Sequence, residues 1–442
     1  MAQSFDLLIR GGTVVNHDGI GQADVGVRDG RIAAIGNLSQ ASAGETVDAV
    51  GLHVLPGVID TQVHFREPGN EHKEDLETGS RCAVAGGVTA VFEMPNTKPS
   101  TTTAEALADK VTRARDRMFC DFAFYVGANG ENAPELPDLE RQPGCCGVKI
   151  FMGSSTGSLL VSEDAPLLET LKSGHRRVAV HCEDEPRLIE RKAEAREGKP
   201  GTHPVWRDVE SAFKATRRLI ALAREAHRRV HVLHVTTAEE MAYLADHKDI
   251  ATVETTPQHL TLAAPDCYDR LGTYAQMNPP IREAHHRDAL WQAVRAGIVD
   301  VIGSDHAPHT KEEKAQTYPA SPSGMPGVQT LLPLLLDHCA NGRLTLQRLV
   351  DLTSHSAQRV FNICGKGRLA VGWDADFTLV DLKAAREITE DWNESRCGWT
   401  PFAGQTVKGW PVGTIIRGRK AMWEGEIAAK ANGAPVRFLE TL

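Results

Sequence analysis

No apolar run in the 442-residue chain approaches the roughly 18 residues that a membrane helix needs, so no membrane span is expected. The opening MAQSFDLLIRGG has neither a basic segment nor an apolar core behind it, so no secretory leader is expected either. Lysine and arginine never gather into a block, and the net charge is −9; both argue against a nucleic-acid surface. The nine cysteines include no CxxC pair. An odd number of unpatterned thiols in a chain this long fits reduced cysteines in the cytoplasm, not a disulfide framework. A GxGxxG turn is also missing after the first apolar run of the α/β region, which removes the usual phosphate-binding mark of an open doubly wound sheet. What remains is an ordinary globular balance, 41% hydrophobic and 24% charged. Eighteen histidines are a generous supply, and their positions matter more than their number.

Both ends of the chain read as β-structure. Residues 5–53 set short β-type runs (LLIRGGTVV, ADVGVRDGRIAAIG, ETVDAVGLHVL) between turn signals, and Asp29-Gly30 between alternating apolar runs marks a hairpin. The C-terminal stretch has the same texture, as in DADFTLVDL (374–382) and GTIIRGRKAMWEGEI (413–427). The expectation is one small β-sandwich formed by residues 1–53 and 366–442. Between them, 54–365 alternates. Eight apolar, β-branched runs lie near 54–60, 88–94, 121–127, 147–153, 177–183, 229–235, 250–256 and 298–305. Helical patterns separate most of them, among them 104–117, 209–229 and 238–248. Eight strand–helix alternations over about 250 residues have the size and rhythm of a (β/α)8 barrel. The expected fold class is therefore α/β, a TIM-type barrel with a β-sandwich made from both termini. One stretch, TKEEKAQTYPASPS (310–323), is charged and then rich in proline and serine, and reads as a mobile loop.

Barrel enzymes gather their active sites at the C-terminal ends of the strands, and the ligand-type residues fall there. His64 follows the first run, Lys149 lies on the fourth, His181 ends the fifth, His234 the sixth and Asp305 the eighth. Residues two apart on a strand point the same way, so Gln62, His64 and Arg66 are expected on one face. Imidazole and carboxylate donors suit a borderline ion such as zinc, with manganese or cobalt as alternatives. Cys182, beside His181, turns to the opposite face and toward the helices. A thiolate-free site left open to water is of the catalytic type. It brings the ionisation of a bound water near neutral pH, and Asp305 is placed to carry the proton to a leaving nitrogen. Lys149 has two readings. It is an ammonium paired with Asp305 or Glu183, or, since buried lysines shift their pKa readily, a neutralised group that serves the metal.

Eight separated blocks carry a resemblance: GVIDTQVHFREPG (57–69), AGGVTAVFEMPNT (85–97), KIFMGSSTG (149–157), VHCEDE (180–185), HVTT (234–237), NPPIR (278–282), GSDHAPH (303–309) and GMPG (324–327). Along its full length the chain resembles the dihydroorotases of the amidohydrolase superfamily. The resemblance implies a zinc centre of one or two ions, bridged by Lys149 carrying a carboxyl group on its side-chain nitrogen. His181 and His234 would hold one ion, His64 and Asp305 the other. It further implies a small-molecule substrate, N-carbamoyl-aspartate or dihydroorotate, contacted by Arg66, Asn96, Asn278 and His309, with backbone N–H groups of Gly324–Gly327 assisting. A cytoplasmic homodimer working in pyrimidine biosynthesis completes the expectation. Chemistry supports Arg66 independently, since dihydroorotate carries a carboxylate and a guanidinium is a planar fork suited to one.

One position departs from the pattern. Where much of the family has His-x-His after the first strand, this chain has Gln62-Val63-His64. A neutral amide is a weak donor for zinc, so the ion at Lys149, His181 and His234 is expected to persist and the other to be weak or exchangeable. His259, in ETTPQH (254–259), is read as a structural histidine. Two other functions stay open: another cyclic amidohydrolase of the hydantoinase or allantoinase kind, and a non-catalytic partner subunit, for which Gln62 is the sequence feature.

Overall fold

Strong β-formers buried on both faces dictate a parallel barrel here. The computed structural model describes residues 4–155 and 159–439; Thr156 and Gly157 of the KIFMGSSTG block lie outside the described residues. Strands β1 (Ser4–Asn16), β2 (Gly19–Arg28), β3 (Arg31–Gly36), β4 (Ser42–Asp48) and β5 (His53–Pro56) come from the N-terminal part. The barrel strands follow: β6 (Val58–Val63), β7 (Val88–Glu93), β8 (Asp121–Gly127), β9 (Cys145–Phe151), β10 (Val178–His181), β11 (Val230–Val232), β12 (Ala251–Thr255) and β13 (Val301–Ile302). Strands β14 (Phe377–Glu387), β15 (Thr406–Ile416), β16 (Arg419–Trp423) and β17 (Glu426–Ile427) close the chain.

Strands β6 to β13 pair in sequence order, each parallel to the next. A parallel bridge between Val63 and His306 brings the last strand back to the first, with the His64 N–H donating to the His306 carbonyl at 2.7 Å. Every residue of these eight strands is buried, because helices cover the outside and side chains fill the inside. The helix Val209–Glu225 shows the outer layer's logic. Asp208 caps its first turn, and Ala212, Ala215, Leu219, Ile220 and Ala223 recur at helical spacing on its buried face. No helix among the described residues is long and apolar enough to cross a membrane.

The terminal strands form one separate sheet in the order β17-β16-β15-β14-β5-β1-β2-β3, with β4 pairing β1. The expected hairpin joins β2 to β3, and both Asp29 and Gly30 have positive φ, 51° and 72°, as a type I′ turn requires. A buried charge cluster ties sheet to barrel: Lys366, from the segment entering β14, pairs with Asp121 of β8 at 2.6 Å and with Asp374 and Asp376 at 3.4 and 2.5 Å.

The first expected strand, 54–60, is two elements. Its start belongs to β5 in the terminal sheet, and the barrel begins at Val58. Gly57 makes the break, where a Cβ would lie 2.2 Å from Thr89 Oγ1. Both halves are apolar and buried, so the sequence shows no seam. The sixth and eighth runs, 229–235 and 298–305, shrink to β11 and β13. Their ends leave the ladder, and His234 (φ 37°) and Asp305 (φ 45°) take left-handed conformations beyond it.

Candidate active site at the barrel mouth

Strand ends that leave their ladders aim side chains into the space they enclose. Gln62, His64, Arg66, Asn96, Lys149, His181, His234, Asn278 and Asp305 line one pocket of about 350 Å³. His309 is not among the lining residues. It sits behind Arg66, with Nε2 3.3 Å from the Arg66 guanidinium and 3.0 Å from the Ser323 carbonyl, and Nδ1 3.1 Å from Lys73 Nζ.

At one side of the pocket, His181 Nδ1 and His234 Nε2 face each other at 3.0 Å. Burial lowers the pKa of both rings, which keeps them neutral, the form that binds metal. His181 Nε2 lies 2.9 Å from Glu183 Oε2, and Arg207 grips the same carboxylate at 2.7 Å. Burial works against the Glu183 charge, but Arg207 and His181 more than offset it and hold the pKa well below the usual carboxylate range. A carboxylate behind an imidazole fixes its tautomer and orientation. His234 Nδ1 is buried without a hydrogen-bond partner among the described residues.

Lys149 is 1% exposed, and its ammonium lies 4.5 Å from the centre of the Phe151 ring. Burial lowers its pKa to about 7, against the opposing pull of Asp305 and Glu254. Neither expected salt bridge forms among the described residues: Glu183 is committed to Arg207 and His181, and the Asp305 carboxylate lies against His64 and Gln62. Phe151 follows Lys149 at strand spacing, a signal that period-two reading could have used to place it in the pocket.

On the other side, Asp305 Oδ1 accepts from Gln62 Nε2 at 3.0 Å and lies 3.2 Å from His64 Nε2. His64 Nδ1 meets Asn96 Oδ1 at 2.8 Å. Asn278 Oδ1 lies 3.0 Å from His203 Nε2, a partner that no motif announced. Arg66 has φ 65°, so the strand geometry ends before it. Its Nε donates to the Pro308 carbonyl at 3.1 Å. Burial lowers its pKa to about 10, so the guanidinium stays charged at neutral pH, yet no carboxylate pairs with it among the described residues.

The remaining expectations divide. Cys182 is buried among core residues on the far side of its strand, with the Thr216 hydroxyl and Glu240 among the groups it faces. His259 has both ring nitrogens engaged, by Thr256 Oγ1 at 2.8 Å and the Pro279 carbonyl at 3.0 Å, which leaves no lone pair for an ion. The Gly324 and Gly327 N–H groups are not offered to the pocket; they donate to the Gln276 carbonyl at 2.9 Å and His306 Nδ1 at 3.1 Å. The stretch 310–323 is not a loose loop. Thr310 and Glu313 form a capping box on the helical turn Lys311–Lys314, and Lys314, Tyr318 and Ser321 are buried.

Lys314 donates to the Pro322 and Gln276 carbonyls at 2.8 and 3.3 Å, and burial lowers its pKa to about 7. An unfolded lysine titrates near pH ~10.4. Between that pH and the folded value, the unfolded chain binds more protons, so stability falls as the pH drops through the window and levels off below it. Lys314→Met is expected to flatten this slope. Urea unfolding at pH 9 and pH 7 should show wild type losing on the order of 2 kcal/mol more than the variant.

A polar pocket assembled from the strand ends of a closed parallel barrel defines the class: a barrel enzyme whose basic nitrogens and single carboxylate converge at one mouth. The chain belongs to the amidohydrolase family, whose model matches residues 53–421; residues 1–59 also match the N-terminal domain of the urease alpha-subunit. A dihydroorotase of Halobacterium salinarum is 38% identical over 432 residues, 94% of this chain and 99% of that protein. An allantoinase of Rubrobacter xylanophilus is 35% identical over 447 residues, 98% of each chain. The solved L-hydantoinase (dihydropyrimidinase) from Arthrobacter aurescens matches with a TM-score of 0.92 at 31% identity, over 98% of this chain and 99% of that one.

The residues fit a metal ion under one condition. No group of three His, Cys, Asp or Glu side chains converges as a ligand set among the described residues. Two neutral imidazoles and Lys149 do converge, so the third donor must come from the lysine.

Proposed function

We propose that the chain is a metal-dependent hydrolase of cyclic amides, and specifically a dihydroorotase. In the ring-opening direction, water adds to a ring carbonyl of L-dihydroorotate, the adjacent C–N bond breaks and the nitrogen gains a proton, giving N-carbamoyl-L-aspartate. Ring closure with loss of water is the direction pyrimidine synthesis uses. The observation that carries this reading over the hydantoinase and allantoinase alternatives is Arg66: a buried guanidinium, unpaired with any carboxylate among the described residues, lining the substrate pocket. Burying a charge without a partner is unfavourable, and a substrate carboxylate supplies the missing partner.

Lys149, near half-neutral at pH 7, can add to carbon dioxide. A nitrogen–carbon bond forms, the amine proton leaves, and a cation becomes an oxygen donor beside His181 and His234. A zinc ion bound there supplies a polarising charge for the ring carbonyl and an acidified water molecule. Asp305, held by Gln62 and His64, carries the proton to the ring nitrogen. Asn96 orients His64, and His309 supports the seat of Arg66. The nine cysteines form no disulfide, in keeping with a cytoplasmic enzyme, and pairing into a homodimer belongs to the same proposal.

Purified zinc-loaded protein, offered dihydroorotate, hydantoin and allantoin side by side, tests the reading. Turnover of dihydroorotate without any added partner is expected, with kcat/KM at least about 100-fold above the neutral rings. Preference for a neutral ring would transfer the assignment to that activity. No turnover of any ring would favour the partner-subunit alternative.

A further inference from the structure

Gln62 is 1% exposed and lines the pocket. Its orientation is set by chemistry: the Asp305 carboxylate only accepts hydrogen bonds, so the amide must turn its NH2 toward Oδ1, 3.0 Å away. The amide oxygen Oε1 is then left buried with no hydrogen-bond partner among the described residues. Gln62 also draws its own backbone into place, its N–H donating to Asp60 Oδ1 at 3.1 Å, while the same oxygen accepts from the Ser304 N–H at 3.0 Å. Asp60 thereby ties Gln62 to the residue preceding Asp305.

An ion shared by His64 and Asp305 has two protein donors from this side of the pocket. The third would be Gln62, whose NH2 is held by Asp305 and whose neutral amide oxygen is only a weak donor for zinc. On the other side, Glu183 and Arg207 lie behind His181, and no side-chain amide or carboxylate is bound to the two facing nitrogens, His181 Nδ1 and His234 Nε2, which meet only each other among the described residues.

We propose that Gln62 replaces an ion-binding position with a hydrogen-bond clamp on Asp305, so that the protein retains one divalent ion per chain, at Lys149, His181 and His234. The His64–Asp305 pair is left as an exchangeable position, weaker than with a third good ligand by at least the roughly 10–100-fold that losing even an outer-shell partner costs. This rests on reading the pocket as a metal centre, but not on which ring is hydrolysed.

The test counts ions. Full-length wild type, Gln62→His and Gln62→Leu are loaded with zinc, passed over a chelating resin and measured for metal per chain by elemental mass spectrometry. Thermal melting with and without zinc confirms that each variant is folded. Wild type and Gln62→Leu are expected to retain about one ion and Gln62→His about two. Two retained ions in wild type, or one in Gln62→His, would overturn the proposal. Loss of all metal from every form would overturn the metal centre as well. A preference for hydantoin or allantoin in the substrate assay would leave the count, and the proposal, standing.

Discussion

Lys149→Ala is expected to lose its ion and to slow turnover by roughly 10³-fold or more, as removal of a charge that polarises the reacting carbonyl implies. The argument starts from the shortage of ligands. Among the described residues, His181 and His234 are the imidazoles that face each other on this side of the pocket, and no third His, Cys, Asp or Glu joins them; two imidazoles hold zinc poorly in water. Lys149 is the third group at hand, buried against Phe151 with a pKa brought down to about 7 by burial. A lysine at the usual value, near 10.4, is almost wholly protonated at neutral pH; this one supplies the neutral amine that carbon dioxide requires. Three readouts separate this account from simple misfolding. Intact-mass measurement under gentle ionisation should find the carbon dioxide increment on wild type and not on the variant. Elemental analysis should find the variant's zinc much reduced. Added propionate, filling the space that alanine leaves, should restore part of both metal and rate. A folded Lys149→Ala protein that keeps its ion and works within about tenfold of wild type would end the carboxylated-lysine reading.

How legible this was in the sequence varies residue by residue, for physical reasons. The barrel strands announced themselves because each is a run of β-branched, apolar residues buried on both faces. The positions of His64, Lys149, His181, His234 and Asp305 could be read from their distance to those runs, and the structure brings all five to one pocket. The break at Gly57 could not, since a glycine between two apolar runs looks the same whether the chain continues or changes sheet. Nor could the pairing of Glu183 with Arg207, 24 residues apart, which no helical or strand period connects. The tract 310–323 misled by composition. Its charges and prolines read as surface, yet the Lys314 amino group donates to the Pro322 and Gln276 carbonyls, and Tyr318 is buried as well. Composition reports solubility, and it is blind to a polar group whose partners are backbone carbonyls, one from the tract itself and one from a segment 38 residues earlier.

Replacing Arg66 should separate the candidate activities more sharply than any other change. Arg66→Ala is expected to lower kcat/KM for dihydroorotate by about 10²–10⁴-fold, the range for truncating one partner of a buried, hydrogen-bonded charge pair. The guanidinium is held from behind. Its Nε is spent on the Pro308 carbonyl and one terminal nitrogen lies near His309, so the fork is already oriented before a substrate arrives and little ordering is needed on binding. Its charge survives burial, with the pKa lowered only to about 10. Arg66→Lys keeps the cation but loses the planar fork and the bond to Pro308, so it should recover only a small part of the loss. The effect should fall mainly on rings that carry a carboxylate. Any slow hydrolysis of hydantoin or allantoin should change by less than about tenfold, because those rings offer the guanidinium no negative charge to bind. Equal losses on all three rings would mean that Arg66 holds the pocket together and does not read the substrate. Unchanged turnover of dihydroorotate would remove the main reason for preferring that substrate.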